Sequence, residues 1–180
     1  TNLDGLTNLT SVGADLQISS NNALTNLDGL ASLTSIRELT IAGNDVLTSL
    51  DGLAAITSVG GGLFIDNNTA LTNLDGLVNF TSVGGYLVIK RNNALTNLDG
   101  LANLTSVGKE LYVGGNDALT NIDGLASLTS VKDVYIIDNP SLTNLDGLAS
   151  LTSVGELSIE DNDALTNVDG LANLTSVGGY

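Results

Sequence analysis

A twelve-residue phrase, Thr25-Asn26-Leu27-Asp28-Gly29-Leu30-Ala31-Ser32-Leu33-Thr34-Ser35-Ile36, returns with little change along the whole chain. Its copies begin at Thr1, Thr25, Thr48, Thr72, Thr96, Thr120, Thr143 and Thr166, in steps of 23 or 24 residues. A fixed period in this range is the signature of a solenoid: each unit buries its apolar face only by stacking on its neighbours. The expected organisation is therefore one solenoid over residues 1–180, of about eight units with the last one truncated. The chain starts and stops inside this pattern and reads as a mature fragment or an excerpt of a longer array.

Within a unit, Leu24, Leu27, Leu30, Leu33 and Ile36 recur every third residue, and Leu39 and Ile41 then alternate. Period three fits short 3₁₀-like or extended segments winding about an axis. The alternation predicts a short strand with Leu39 and Ile41 turned inward. Stacked units would align these strands in a parallel sheet with irregular or 3₁₀ return segments. An asparagine follows each strand at fixed distance (Asn21, Asn44, Asn68, Asn92, Asn116, Asn139, Asn162). Its phase turns it inward, where a buried amide must be hydrogen-bonded at both ends. A structural ladder is expected.

The segment Ile36-Arg37-Glu38-Leu39-Thr40-Ile41-Ala42-Gly43-Asn44 resembles the leucine-rich-repeat core, and the resemblance covers the whole chain. The Leu-Thr-Ser-Val-Gly-Gly phrase is similar to the receptor L-domain subgroup of cell-surface proteins. Two departures accompany it. Ala often stands two residues after the Asn (Ala23, Ala70, Ala94, Ala118, Ala164), and some units carry an extra residue before the strand, as at Gly84-Gly85. The resemblance implies an all-β-rich, right-handed β-helix rather than a helix-backed horseshoe, and an extracellular or cell-surface setting. The glycines Gly60-Gly61-Gly62 and Gly84-Gly85 predict a bulge or a positive-φ corner.

Composition narrows the function. Net charge is −15 and the chain has no Cys, His, Met or Trp. Clustered Lys and Arg, which nucleic acid and anionic lipid require, are missing. No apolar run reaches membrane-spanning length. Without His or Cys, a Ser–base pair or a cofactor loop, an enzyme is not expected.

Invariant residues become columns on a solenoid. Asp4, Asp28, Asp51, Asp75, Asp99, Asp123, Asp146 and Asp169 precede Gly-Leu and read as caps of the following turn. A Ca²⁺ ladder is the sharper alternative, but no EF-hand spacing accompanies it, and no cofactor is expected. The Thr columns, through Thr10 and Thr34 and through Thr25 and Thr48, could bind ice or a crystal surface, or could satisfy turn backbones. Asn8, Asn67, Asn79, Asn103 and Asn173 begin Asn-x-Thr sequons.

What varies between units is more telling. Three strand positions face outward: Asp15/Gln17/Ser19, Glu38/Thr40/Ala42, Gly62/Phe64/Asp66, Tyr86/Val88/Lys90, Glu110/Tyr112/Gly114, Asp133/Tyr135/Ile137 and Glu156/Ser158/Glu160. Every aromatic except core-phase Phe80 lies in this register, Tyr180 included. The candidate ligand-binding residues are Phe64, Asp66, Tyr86, Val88, Lys90, Glu110, Tyr112, Asp133, Tyr135 and Ile137. An aromatic patch ringed by charge has the composition of a recognition surface. The expected function is non-catalytic recognition or adhesion, with a protein or glycan as partner. Alternatives are a stalk segment of a longer surface protein, with end-to-end self-association, and ice or crystal binding through the Thr ladders.

Overall fold

The computed structural model describes residues 2–178. Each unit opens with a one-turn 3₁₀ segment of sequence Asp-Gly-Leu, from Asp4–Leu6 to Asp169–Leu171, and continues into extended backbone. The strands are β1 (Ser11–Ser19), β2 (Ser35–Ala42), β3 (Ser58–Val59), β4 (Leu63–Asp66), β5 (Ser82–Val83) and β6 (Leu87–Lys90). They are followed by β7 (Ser106–Gly114), β8 (Ser130–Ile137), β9 (Ser153–Val154), β10 (Glu156–Glu160) and β11 (Ser176–Val177). In chain order β1, β2, β4, β6, β7, β8 and β10 lie side by side, every pair parallel. The result is a repeating parallel β-sheet solenoid, consistent with a leucine-rich-repeat-like fold.

A unit holds more strand than the Leu-x-Ile alternation indicates. The Ser-Val pair ahead of it forms its own ladder, β3 to β5 to β7, and β9 pairs with β11. In β1 and β7 the two stretches run together through an irregularity, between Val12 and Asp15 and between Val107 and Glu110. The extra residue is thus a bulge, as the inserted glycine predicts.

The positive-φ corner is not where those glycines stand. None of Gly60, Gly61, Gly62, Gly84 and Gly85 has positive φ. At Gly84 the reason is proximity: a Cβ there would sit 2.4 Å from the Gly60 carbonyl oxygen, as one on Gly108 would sit 2.1 Å from that of Gly84, whereas one on Gly60 would meet nothing within 4 Å. The left-handed turn instead comes directly after each strand, at Ser20, Gly43, Asn67, Arg91, Gly115, Asp138 and Asp161. It aims the following asparagine inward.

Those asparagines make the ladder. Asn44, Asn68, Asn92, Asn116 and Asn139 are fully buried. The Asn68 main-chain N–H donates to Asn92 Oδ1 at 3.0 Å, and Asn92 in turn donates to Asn116 Oδ1 at 3.1 Å. Asn92 Nδ2 donates to the carbonyls of Ile65 in the preceding unit and Lys90 in its own, at 3.0 and 3.1 Å. Each amide thereby closes the turn of two units at once.

The Asp-Gly-Leu turns differ from the expected cap. Their Asp side chains make no capping hydrogen bond. The residue two positions earlier does so: the Asp99 N–H donates to Asn97 Oδ1 at 3.0 Å, and the Asp51 N–H donates to Ser49 Oγ at 3.0 Å. This short-range Asx or Ser turn frees the carboxylates to face solvent.

Around these polar devices runs one apolar core. Leu27, Leu50, Leu74 and Leu98 stack in one column, and Leu30, Leu53, Leu77 and Leu101 in another, all fully buried. Phe80 replaces Leu in a third and is equally buried. Each such side chain contributes about 1.5–3 kcal/mol of burial. At either end the same columns are only partly covered, as at Leu3, Leu9, Leu171 and Leu174, because a neighbouring unit is present on one side.

Candidate recognition face

The sheet register sorts the variable residues into three rows. The first pairs Asp15 with Glu38 and, further on, Glu110 with Asp133 and Asp133 with Glu156. The middle row runs Gln17, Thr40, Phe64, Val88, Tyr112, Tyr135, Ser158 in unbroken register. The third runs Ser19, Ala42, Asp66, Lys90, Gly114, Ile137, Glu160. The inward residues between them, Leu63 and Ile65 or Leu87 and Ile89, are fully buried. The strand phase assigned from sequence is therefore the observed one, and all ten candidate residues lie on one face. Phe64, Asp66, Val88, Lys90, Glu110, Tyr112, Asp133, Tyr135 and Ile137 are half-buried by their neighbours on it, and Tyr86 is exposed at 39 %. Tyr180 lies outside the described residues.

Phe64, Val88, Tyr112 and Tyr135 are consecutive neighbours in the middle row. Tyr112 and Tyr135 stack with centroids 6.4 Å apart and planes inclined at 28°. Two rings lean over glycines of their own strands: a Cβ on Gly62 would meet Phe64 Cε2 at 2.3 Å, and one on Gly114 would meet Tyr112 Cε1 at 2.6 Å. These glycines let the rings lie low against the sheet. On the exposed flank, Lys109 Nζ sits 4.8 Å from the centre of the Tyr86 ring, a cation–π contact.

Charge is divided along the row. Asp66 receives two cations: Arg91 through Nε at 2.9 Å and Nη2 at 2.6 Å, and Lys90 at 3.7 Å. The hydrogen bond to Asp66, and then its charge, raise the Arg91 pKa above its usual value. A shallow depression of about 340 Å³ lies here, lined by Thr40, Phe64, Val88, Asp66 and Lys90. Toward β10 the balance reverses, with Glu110, Asp133, Glu156 and Glu160 on the sheet and Asp138, Asp161 and Asp163 on the turns beyond it.

No family model matches the chain, and no curated protein matches it. Among solved structures, an internalin (inlF) from Listeria monocytogenes is similar over 99 % of this chain and 88 % of its own, at 13 % identity and a TM-score of 0.15. Function is thus argued from the residues of this chain.

The other columns are engaged in holding the stack. Thr hydroxyls donate to the carbonyl of the matching Thr one unit back, as Thr105 Oγ1 to Thr81 at 3.0 Å and Thr120 Oγ1 to Thr96 at 3.1 Å. In the sequons at Asn79, Asn103 and Asn173, Nδ2 donates to the backbone of the preceding unit at 2.8–2.9 Å. Among the described residues no group of three His, Cys, Asp or Glu could hold a metal ion, and no helix is long and apolar enough to cross a membrane.

Tyr135 reports the acidic side of the face. Hydrogen bonding to Glu156 first, then desolvation and the charges of Glu156, Asp133 and Glu110, push its pKa up to about 12. The folded state therefore favours the neutral phenol. The stabilisation is complete below the ordinary tyrosine value of about 10 and is lost as pH rises through about 12. Ultraviolet absorbance titration should show one tyrosine ionising near pH 12. Glu156→Gln should bring that step down toward about 10; a step that stays put would show that Glu156 does not govern it.

Proposed function

We propose that this chain is a non-catalytic recognition module of a cell surface, related to the receptor L-domain subgroup, that binds a protein or glycan through the variable face. On this reading residues 1–180 work as a single solenoid scaffold. One observation carries it: the repeated Leu, Asn and Thr columns are occupied in stacking, while the residues that differ between units set Phe64, Val88, Tyr112 and Tyr135 side by side in one outward row. The polar strands β1 and β2, with Gln17 and Thr40 in the middle row, support the same reading, since the sheet forms there without aromatics. A flat sheet face ringed by charge and centred on rings is suited to a partner surface or a sugar face.

The test is a panel of immobilised glycans and surface-protein extracts, probed with the wild type and with Phe64→Ser/Tyr112→Ser/Tyr135→Ser. Loss of about 2 kcal/mol or more of binding free energy is expected, with an unchanged circular dichroism spectrum. Full retention of binding by the folded variant would refute the assignment of this face. The stalk reading draws on the uniform asparagine ladder. It predicts a rod without ligand and concentration-dependent end-to-end growth in sedimentation.

A further inference from the structure

Building on the recognition face, we propose that its C-terminal half, across β7, β8 and β10, seats an extended Lys- or Arg-rich segment of a partner protein.

Three features converge there. First, Glu110, Asp133 and Glu156 are direct neighbours in the parallel register, so three acidic residues stand in a row on strands whose backbones are about 4.8 Å apart. Their compensation is incomplete. Lys132 lies 3.3 Å from Asp133, whereas among the described residues Glu110 and Glu156 have no ion pair. Second, the adjacent row supplies Tyr112 and Tyr135, stacked at 6.4 Å, with the Tyr112 ring lying low over Gly114. A tyrosine face attracts a guanidinium or ammonium group within about 6 Å of its centre. The protein already makes such a contact on this sheet, between Lys109 and Tyr86 at 4.8 Å. Third, the polarity of the face is one-sided. At β4 and β6 the acid is already answered, with Asp66 holding both Arg91 and Lys90. An incoming cation finds the row of carboxylates toward β10, and a cleft of about 710 Å³ runs beside it, lined by Lys90 and Arg91 as well as by Tyr112, Ile137, Asp138, Asp161 and Asp163. The Tyr135 hydroxyl bonds to Glu156, and that bond first, then desolvation and the charges of Glu156, Asp133 and Glu110, raise its pKa.

The dimensions suit a peptide. Crossing from β7 to β10 spans two strand intervals, about 10 Å, which an extended chain covers in about three residues. Two or three basic side chains therefore suffice to meet the row of carboxylates while one stacks on the tyrosines. An acidic glycan is disfavoured at the same place by the carboxylates and by the net charge of −15.

Net charge alone would draw any polycation weakly, so the test uses a charge-matched control. A fluorescein-labelled decapeptide of alternating Arg and Ser is titrated by anisotropy at physiological salt. The proteins are the wild type, Glu110→Gln/Asp133→Asn/Glu156→Gln, Tyr112→Ser/Tyr135→Ser, and Asp99→Asn/Asp123→Asn/Asp146→Asn. The last removes three carboxylates that make no capping bond in their 3₁₀ turns. Binding should weaken about tenfold or more in both face variants and change less than about twofold in the turn variant. Equal weakening in the face-carboxylate and turn variants would reduce the effect to bulk charge and overturn the proposal, as would failure of the wild type to bind. If the panel of glycans and surface proteins finds a ligand lost in the Phe64/Tyr112/Tyr135 variant while the Arg peptide does not bind, the recognition face stands and the cationic partner falls.

Discussion

Asn92→Ala is expected to lower the midpoint of thermal unfolding by about 10 °C. The side chain serves two units. Its Oδ1 accepts from the Asn68 N–H and from Asn68 Nδ2, at 3.0 and 3.3 Å, and its Nδ2 donates to the Ile65 and Lys90 carbonyls. Alanine leaves the buried Asn68 N–H without its acceptor and takes a donor from the Ile65 and Lys90 carbonyls, of which Lys90 still accepts from the Asn67 N–H at 2.9 Å. At about 1–3 kcal/mol for each orphaned group, partial relaxation still leaves a cost on the order of 4 kcal/mol. That is a large share of the roughly 5–15 kcal/mol typical of a folded domain. Asn21 supplies the contrast. It stands exposed at the first rung, and its Nδ2 makes one bond, to the Ser19 carbonyl at 3.1 Å. Asn21→Ala should cost under about 1 kcal/mol. Chemical denaturation of the two variants checks the difference; equal costs would mean that the ladder is not what closes the turns.

Gly100→Ala should be as damaging, for a different reason. A Cβ at Gly100 would lie 1.9 Å from the Leu74 carbonyl oxygen and 2.2 Å from its carbon. Both partners are backbone, so no rotamer change relieves the clash, and the two units must separate. Overpacking of this kind costs about 1–3 kcal/mol when side chains can adjust; here about 3 kcal/mol or more is expected. The same substitution at Gly5 meets nothing within 4 Å and should be neutral or slightly stabilising. The contrast isolates stacking from turn conformation, since both glycines sit in the same Asp-Gly-Leu turn. A Gly5→Ala as harmful as Gly100→Ala would assign the cost to the turn itself.

These two sites mark how far the sequence could be read. The period, the Leu columns, the inward asparagine and the outward phase of Phe64, Tyr112 and Tyr135 all follow from spacing, because a solenoid converts every repeat of a residue into a column. The close approach at Gly100 does not: glycine there could equally serve a positive φ, and only the neighbouring unit reveals the contact. The turn residue after each strand was also hidden. Its types are mixed, from Ser20 and Gly43 to Arg91 and Asp138, and its one fixed signal is the asparagine that follows. Arg91 is the least expected of them, a long side chain at φ 57° whose guanidinium reaches Asp66. The Asp column does not cap the turn as its spacing predicts, because Asn97 and its equivalents, two residues earlier, accept the turn N–H. On the candidate face, spacing gives the outward phase of the ten residues, but not the lean of Phe64 and Tyr112 over glycines or the double hold on Asp66.

Under the proposed function, one set of residues folds the chain and another meets the partner. The direct test is a library of single substitutions, sorted in parallel for surface abundance and for capture of the ligand that the panel returns. Frame positions such as Asn92 and Gly100 should lose abundance and capture together. Positions on the face such as Tyr112 and Tyr135 should lose capture while abundance stays at the wild-type level. The contradicting result would be capture-specific losses that gather on the Thr105 and Thr120 columns or the Asp-Gly-Leu turns and spare the aromatic row.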